Sequence, residues 1–132
     1  INLMNKKILI VTDFYKPHNS GIITYINQEI NSLKKKNYQI TILTTKHKKD
    51  LLTSEIFSDI NIIRCKPTLT ISRGFYSFEL IKKFINLQKK YDIVNLHLPI
   101  SEIFPLIFFI DKNKTIINYH CLPQFPFLSK FL

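Results

Sequence analysis

The segment Lys7-Ile-Leu-Ile-Val-Thr-Asp13 decides the fold of this chain. Its four central residues are aliphatic and polar residues flank them on both sides, which is the pattern of a strand buried on both faces. Strands of this kind belong to parallel sheets, because crossover helices cover both faces of such a sheet. The segment therefore predicts the first strand of an α/β domain.

A helix follows this strand after a polar loop. Apolar residues recur at helical spacing over Ile22–Leu33, and the basic run Lys34–Lys36 suits the negative end of the helix dipole. Asn37 can take the left-handed conformation that ends a helix. We therefore expect the first helix to end just before Asn37.

Apolar runs and amphipathic stretches alternate along the rest of the chain. Four more strands are predicted, over Gln39–Thr45, Ile60–Cys65, Ile93–Leu98 and Thr115–His120. Two more helices are predicted, an amphipathic one of about four turns over Phe75–Lys90 and a largely buried one over Ser101–Ile110. Residues 46–59 are polar without a clear period, and we expect an exposed connection there with at most a short helix.

Strands that alternate with helices predict a doubly wound parallel sheet with right-handed crossovers. For five strands of this kind we expect the order 3-2-1-4-5. Ligands bind such a sheet beyond the carboxyl ends of the strands where the order reverses, which is between the first and fourth strands. The candidate site therefore comprises residues 13–21, residues 97–101 and the chain from His120 onward.

Length and composition predict one cytoplasmic domain. The chain has 132 residues, of which 45% are hydrophobic, and this excludes a disordered tail. Its longest apolar run, Ile103–Ile110, is far shorter than the ~20 residues that a membrane span needs. No signal-peptide pattern stands at the amino end. The two cysteines, Cys65 and Cys121, fit free thiols in a reducing compartment better than a disulfide.

The net charge of +10 comes almost entirely from lysine, since 17 of the 19 basic residues are Lys. Arginine is the residue that contacts bases and phosphates in a bidentate way, so we expect no nucleic-acid partner. The abundance of Ile, Lys and Asn is typical of an AT-rich genome, and this bias accounts for most of the charge. Attraction to anionic surfaces would be a secondary effect of this positive charge.

The spacing of glycine, acidic and metal-ligating residues excludes several kinds of site. The chain has two glycines, Gly21 and Gly74, whereas a dinucleotide fingerprint needs three in one turn and a P-loop needs two before Lys-Ser/Thr. A phosphate-receiver domain needs an acidic cluster, and Asp13 stands alone at the end of the first strand. The His and Cys residues show no paired ligand spacing, so we expect no metal.

Gly21 and two histidines remain as candidate ligand-binding residues. Gly21 lets the backbone come close to a ligand, and the free N–H groups of the following helical turn attract an anion or a hydroxyl-rich group. The alternative is that Asn19 or Ser20 is an N-cap and Gly21 a turn residue. His97 and His120 end the fourth and fifth strands beside the expected crevice. The alternative for each histidine is a packed or hydrogen-bonded place within the domain.

Four segments, in order, resemble family 4 glycosyltransferases, which are retaining enzymes of the GT-B fold. Lys7–Ile26 resembles the opening strand, aromatic-Pro loop and first helix of that family. Lys35–Thr44 resembles the end of its first helix and its second strand. Tyr91–Pro99 resembles its fourth strand, and Ile117–His120 resembles the end of its fifth strand.

The resemblance implies roles for individual residues. Gly21 matches the second glycine of the family's loop, which lies against the donor diphosphate and the acceptor, and Ser20 stands where the first glycine usually is. His120 matches the family's active-site histidine, which reaches the transferred sugar, and is the catalytic candidate. His97 matches, together with Pro99, a signature on the acceptor side.

The resemblance also implies an architecture and an activity. The chain would be one Rossmann-like domain over residues 1–132, the N-terminal half of a GT-B fold without its C-terminal domain. The parent reaction would move a sugar from a nucleotide-sugar to a glycan or lipid-linked acceptor, with retention and without a required metal or other cofactor. We expect a role in cell-envelope polysaccharide synthesis, a peripheral contact with the inner face of the membrane, and no activity in the chain alone.

Two alternatives remain open from the sequence. One is a solitary, non-catalytic interaction module that pairs with a separate C-terminal half. The other is a basic membrane-binding domain on the same scaffold.

Overall fold

The protein is an α/β domain with eight strands and three α-helices among the residues that the computed structural model describes, which are 6–13, 15, 21–71, 74–98, 100 and 102–119. The strands are β1 (Lys7–Val11), β2 (Gln39–Thr45), β3 (Ser54–Phe57), β4 (Ile60–Cys65), β5 (Leu69–Ile71), β6 (Gly74–Tyr76), β7 (Ile93–Leu98) and β8 (Thr115–Tyr119). The helices are α1 (Gly21–Lys35), α2 (Phe78–Leu87) and α3 (Ile103–Ile107), and a 3₁₀ turn, Gln88–Lys90, continues α2.

One six-stranded sheet, in the order β3-β4-β2-β1-β7-β8, carries the fold. Every neighbouring pair is parallel except β3 with β4. The five strands predicted from the sequence are β1, β2, β4, β7 and β8, and their predicted order is confirmed. The doubly wound α/β fold class is therefore also confirmed.

The prediction of a strandless connection over residues 46–59 is wrong, because β3 pairs antiparallel with β4 there. The turn between the two strands consists of Ser58 and Asp59, whose φ angles are 51° and 66°. Two consecutive left-handed residues match the twist of a two-residue hairpin. The usual signal for that turn is Asn-Gly or Asp-Gly, so Ser-Asp left this hairpin undetected. A second hairpin, formed by β5 and β6, was also missed.

The two later helices are shorter than predicted. Helix α2 begins at Phe78 because Ser77 has an extended backbone and its Oγ accepts a hydrogen bond from the Leu80 N–H at 3.1 Å. Helix α3 ends at Ile107, where the Phe108 N–H donates to the carbonyl of Pro105, three residues back. Such i→i−3 bonds tighten the last turn of a helix. Phe108 is 81% exposed, so the expectation of a largely buried helix fails at its end.

The sheet buries one apolar layer on each face. The layer under α1 consists mainly of isoleucines: Ile8, Ile10, Ile23, Ile26, Ile30, Ile40, Ile42, Ile60 and Ile62, with Tyr15. The layer under α2 and α3 contains Leu9, Val11, Leu43, Cys65, Leu80, Ile81, Phe84, Val94, Leu96, Ile100 and Leu106. Alternate residues of β1 contribute to the two layers, as the period of two in a strand requires.

Helix α1 ends in a left-handed cap, as the sequence predicts. Asn37 has φ 64°, and its N–H donates to the Lys34 carbonyl at 3.0 Å. The Tyr38 N–H donates to the Leu33 carbonyl at 3.1 Å. These two bonds form a Schellman motif, which satisfies carbonyl groups that the end of the helix would leave unpaired.

Replacing Asn37 with alanine should lower the free energy of unfolding by about 1 kcal/mol, because a Cβ without a local hydrogen-bonding group disfavours the left-handed conformation. Urea denaturation of the parent and the variant measures the difference. The matched control is Asn31→Ala, at an exposed position within α1. Alanine is a good helix former, so the control should keep or slightly raise stability. Equal losses in both variants would contradict this account of the cap.

Candidate functional site

The strand order reverses between β1 and β7, which are parallel neighbours with Val11 beside Leu96. From β1 the chain passes to α1, on the isoleucine-rich face, and from β7 it passes to α3, on the opposite face. The carboxyl ends of these two strands therefore form the edges of a crevice, where ligands bind in open α/β sheets. The predicted location of the candidate site agrees with this topology.

His97 lies near the carboxyl end of β7 and faces α1. It is 1% exposed, and its Nε2 lies 3.2 Å from Oε1 of Glu29, a half-buried residue of α1. The Tyr25 ring contacts the imidazole edge-on, with the ring centroids 6.1 Å apart. A carboxylate only accepts hydrogen bonds, so the Nε2–H group of His97 donates the hydrogen bond to Glu29. The imidazole is thereby held in one orientation beneath α1.

Glu29 also accepts hydrogen bonds from Asn95. The Asn95 Nδ2 lies 2.9 Å and 3.0 Å from the two carboxylate oxygens, and the Asn95 Oδ1 accepts from the Asn118 Nδ2 at 2.5 Å. A polar network therefore connects α1, β7 and β8 inside an otherwise apolar layer. We call Glu29, Asn95, His97 and Asn118 the Glu29 network.

Of the Glu29 network, only His97 is a site residue predicted from the sequence. Two signals were present: Asn95 and His97 alternate inside an apolar strand and so share one face, and Glu29 lies between the buried residues Ile26 and Ile30. Each signal alone is typical of a tolerated polar residue. The binding role predicted for His97 stays a prediction, and the contacts described here place the side chain against α1.

Gly21 is the first residue of α1 and is exposed. Its φ is not positive, and a Cβ added there would meet no atom of the described residues within 4 Å. Neither its backbone conformation nor its packing against the described residues therefore requires glycine at this position. The predicted proximity of Gly21 to a ligand stays a prediction, and Ser20 and His120 lie outside the described residues.

Asp13 and Glu102 bring two carboxyl groups to the carboxyl ends of β1 and β7. Glu102 is fully buried, and its Oε2 accepts a hydrogen bond from the Ser77 N–H at 2.6 Å. Burial raises the pKa of Glu102, and the hydrogen bond from Ser77 partly opposes that effect. Burial, and secondarily the charge of Glu102, raises the pKa of Asp13 to about 7.

The sequence placed Asp13 alone, because Glu102 comes 89 residues later and follows β7 rather than ending it. Adjacency of β1 and β7 puts the two groups within electrostatic range. The expected strand order predicts this adjacency. The burial of Glu102, just before α3, has no signature in the sequence.

The cysteine, the possible metal ligands and a polar depression add no further site chemistry in the part of the chain that the structure describes. The Cys65 thiol is buried, and burial raises its pKa to about 12, which makes it unreactive. Among the described residues, no three His, Cys, Asp or Glu side chains are grouped to hold a metal ion. None of the described helices has the length and apolarity required to cross a membrane. A depression lined by Lys34, Gln39 and Asn61 lies at the amino end of β2, away from the crevice.

No protein-family model matches the sequence, and no curated protein matches it significantly. Solved structures do match. Sucrose-phosphate synthase from Thermosynechococcus elongatus superposes with a TM-score of 0.62 and 16% sequence identity over 89% of this chain and 34% of the synthase chain. A second structure of that enzyme gives a TM-score of 0.51 and 15% identity over 87% of this chain and 64% of the other.

These similarities concern the fold, because both identities are low. The chain spans about a third of the length of the first synthase structure and less than two thirds of the second. The described elements form a Rossmann-like α/β domain that matches one half of a GT-B fold. The glycosyltransferase-like fold implied by the sequence resemblance is therefore confirmed.

Replacing Glu29 with alanine should lower the free energy of unfolding by about 1 to 3 kcal/mol, because Asn95 and His97 would lose a charged acceptor inside the domain. Urea denaturation measures the loss, and the neighbouring exposed residue gives the control variant Gln28→Ala. If both variants unfold at the same urea concentration, the Glu29 network does not stabilise the fold.

The pKa of Asp13 also predicts a pH dependence of stability. Because the folded-state pKa of about 7 exceeds the ordinary 3.8, the folded protein binds a proton more tightly than the unfolded chain. The contribution of Asp13 to stability should be full below pH 3.8 and should be lost as pH rises through about 7. The parent should therefore lose stability relative to Asp13→Asn over this range. The exposed Asp50→Asn variant should track the parent, and a pH-independent difference for Asp13→Asn would refute the shift.

Proposed function

We propose that the chain is the acceptor-side half of a retaining, family 4-like glycosyltransferase that moves a sugar from a nucleotide-sugar to a glycan or lipid-linked acceptor. The observation that carries the proposal is the similarity of nearly the whole chain to part of sucrose-phosphate synthase, with 89% of the chain superposed. The four sequence segments that resemble family 4 enzymes also support it, because two of them contain β1 and β7, the strands that border the crevice.

The amino end of α1 would hold the anionic part of the donor. The N–H groups of the first helical turn have no partner within the helix, and they carry the positive end of its dipole. The first turn of α1 contains no acidic residue that would repel an anion. The open space around Gly21 would let a diphosphate approach the backbone, and the net charge of +10 would attract it.

His120 would hydrogen-bond the transferred sugar, and His97 would act on the acceptor side. In the proposed site the imidazole of His97 has a fixed orientation, because the Glu29 carboxylate and the Tyr25 ring hold it. A fixed donor or acceptor costs no reorganisation when charge develops in the transition state. Ser20 would contact donor or acceptor in place of the usual glycine.

A second domain would complete the cleft and supply the charges for the leaving diphosphate. Holding donor and acceptor together can lower the reaction barrier by ~7–11 kcal/mol. A single wall of a cleft holds neither ligand in place. In this proposal no metal or other cofactor is required, and the protein works in the cytoplasm at the inner face of the membrane on cell-envelope polysaccharide.

The exposed apolar residues around β8 favour one alternative, a non-catalytic module that docks onto another polypeptide. β8 is an edge strand of the described sheet, and large apolar side chains in β8 and at or just after the end of α3 are about half exposed or more. They are Ile107, Phe108, Phe109, Ile116 and Ile117. Exposed apolar patches mark interaction surfaces. Normal transfer by a complete protein would reject this alternative.

The complete protein should transfer label from one of a panel of radiolabelled nucleotide sugars to an acceptor, and the anomeric configuration should be retained in the product. His120→Ala should lower turnover on the order of 100-fold, which is typical for loss of a positioned hydrogen-bonding group. The 132-residue chain by itself should transfer none. Failure of the complete protein with every donor, or turnover of the variant within about threefold of the parent, would refute the proposal.

Gly21→Ala separates folding from ligand use. Alanine in a helix is more favourable than glycine by up to about 1 kcal/mol, and the added Cβ meets no atom within 4 Å, so stability should stay the same or rise. Transfer should nevertheless fall if a ligand occupies that space. The control is Asn31→Ala, on the exposed surface of the same helix. Unchanged kinetics in Gly21→Ala would remove Gly21 from the proposed site.

A further inference from the structure

Nine of the 17 lysines lie at one end of the domain, where the strands of the parallel sheet begin. Crossover helices run back along such a sheet, so each helix ends beside the start of the next strand. Hydrogen bonds join the strand starts to one another: the Asp92 N–H donates to the Lys7 carbonyl at 2.8 Å, and the Val94 N–H donates to the Lys114 carbonyl at 2.9 Å. The nine lysines are Lys6, Lys7, Lys34, Lys35, Lys36, Lys89, Lys90, Lys112 and Lys114.

The positive charge at this end is not neutralised. Three acidic residues, Asp59, Asp92 and Asp111, share it in the described part of the chain. Two of them bind backbone groups, since Asp92 accepts from the Lys7 N–H at 2.8 Å and Asp111 accepts from the Asn113 N–H at 3.0 Å. Among the described residues, none of the nine lysines forms an ion pair. Nine lysines against three carboxylates leave an excess of six positive charges here.

Three large apolar side chains are exposed beside some of these lysines. Ile107, which ends α3, is 54% exposed, and Phe108 and Phe109 are 81% and 47% exposed. The Phe109 carbonyl accepts a hydrogen bond from the Gln88 Nε2, and the Gln88 carbonyl accepts one from the Lys114 Nζ at 2.5 Å. These contacts place the end of α3 next to the turn that continues α2. We call the resulting surface the basal patch, and it consists of Lys89, Lys90, Ile107, Phe108, Phe109 and Lys112.

Helix dipoles and composition do not account for the basal patch. Lysine in the last turn of a helix is favoured by the dipole, which explains Lys89 and Lys90. Lys112 lies outside the helices, and no dipole favours an exposed Phe108. A genome rich in AT raises the number of lysines everywhere and does not place them at one end. Contiguous exposed apolar residues are rare on monomers, and they mark surfaces that bind a partner.

We propose that the basal patch binds the surface of an anionic lipid bilayer, with its phenyl groups between the headgroups and its lysines on the phosphates. The inference rests on the proposed function for its location at the inner face of the membrane. Aromatic and aliphatic side chains enter the boundary between headgroups and acyl chains, and lysines nearby are attracted to anionic lipids. A nucleic acid would match the lysines, but it offers no apolar phase for Ile107.

The basal patch and the crevice lie at opposite ends of the strands. The crevice borders the carboxyl ends of β1 and β7, whereas the basal patch precedes the amino ends of β7 and β8. A strand of six residues, such as β7, is about 20 Å long. A bilayer bound at the basal patch therefore leaves the crevice open to its ligands.

The test is co-sedimentation of the complete protein with vesicles of phosphatidylcholine and phosphatidylglycerol in equal parts, and with vesicles of phosphatidylcholine alone. The parent should bind the anionic vesicles, and less tightly as salt rises. Lys89→Glu/Lys90→Glu should bind them at least about tenfold more weakly, because each lysine near an anionic surface contributes about fivefold to affinity. The control Lys48→Glu/Lys49→Glu changes the net charge equally at exposed positions after β2, at the other end of the sheet, and should stay close to the parent. Equal losses in the two double variants would overturn the proposal.

Removing one phenyl group tests the apolar part of the basal patch. Phe108→Ser should weaken vesicle binding by about tenfold, because a phenyl group withdrawn from water would be lost. Its stability in urea should match that of the parent, since this side chain is 81% exposed. Leu52→Ser is the control at a residue that is 61% exposed, and it should bind as the parent does. Unchanged binding in Phe108→Ser would overturn the insertion of this side chain.

A fluorescent reporter locates the contact. The 132 residues contain no tryptophan, so Phe108→Trp reports on the basal patch once the emission of the parent is subtracted. Its emission should shift to shorter wavelength on anionic vesicles and should be quenched by brominated lipids, whereas Leu52→Trp should show neither effect. Emission already at short wavelength before vesicles are added would show that another segment covers the patch. A dimer that Phe108→Ser dissociates, or binding of single-stranded RNA in place of vesicles, would likewise overturn the assignment to a bilayer.

The transfer assay distinguishes failure of this inference from failure of the proposed function. Vesicle binding that depends on Phe108 and Lys89, in a complete protein that transfers no sugar, would reject the glycosyltransferase and keep the membrane surface. Normal transfer by a parent that binds no anionic vesicles would reject the membrane surface and keep the enzyme.

Discussion

The burial of β1 on both faces is the constraint on which the rest of the structure depends. Ile8 and Ile10 pack under α1, while Leu9 and Val11 pack under α2 and α3. A strand with two apolar faces cannot lie at the surface, so it pairs on both sides, with β2 and with β7. The reversal of strand order, and with it the crevice, follows from this central position.

Apolar packing does not account for the polar side chains that are buried in the two layers. Three hydrogen bonds satisfy the Glu29 carboxylate from within the domain, so the Glu29 network is a fixed structural unit. Asp13 and Glu102 differ from it, since each keeps a buried oxygen without a hydrogen-bond partner among the described residues. Departures from full pairing of this kind concentrate at functional sites.

The described elements match one half of a GT-B fold. The crevice is lined on one side by β1, β7 and the start of α1, and the exposed apolar residues near β8 leave a further surface uncovered. A fold of this type hosts many chemistries, so the reaction must be argued from the residues at the crevice. In the proposed enzyme these residues supply orientation, and the leaving diphosphate is managed elsewhere.

The sequence by itself determined the five parallel strands, their order, the cap at Asn37 and the location of the crevice. Each follows from local periodicity or from rules of chain connection, which act over short stretches of sequence. Only the tertiary structure decided that Glu102 is buried within electrostatic range of Asp13, that Glu29 holds His97, and that β3 extends the sheet. Those contacts join residues from distant elements, or depend on a turn without its usual glycine, and burial and charge arise only once the elements pack together.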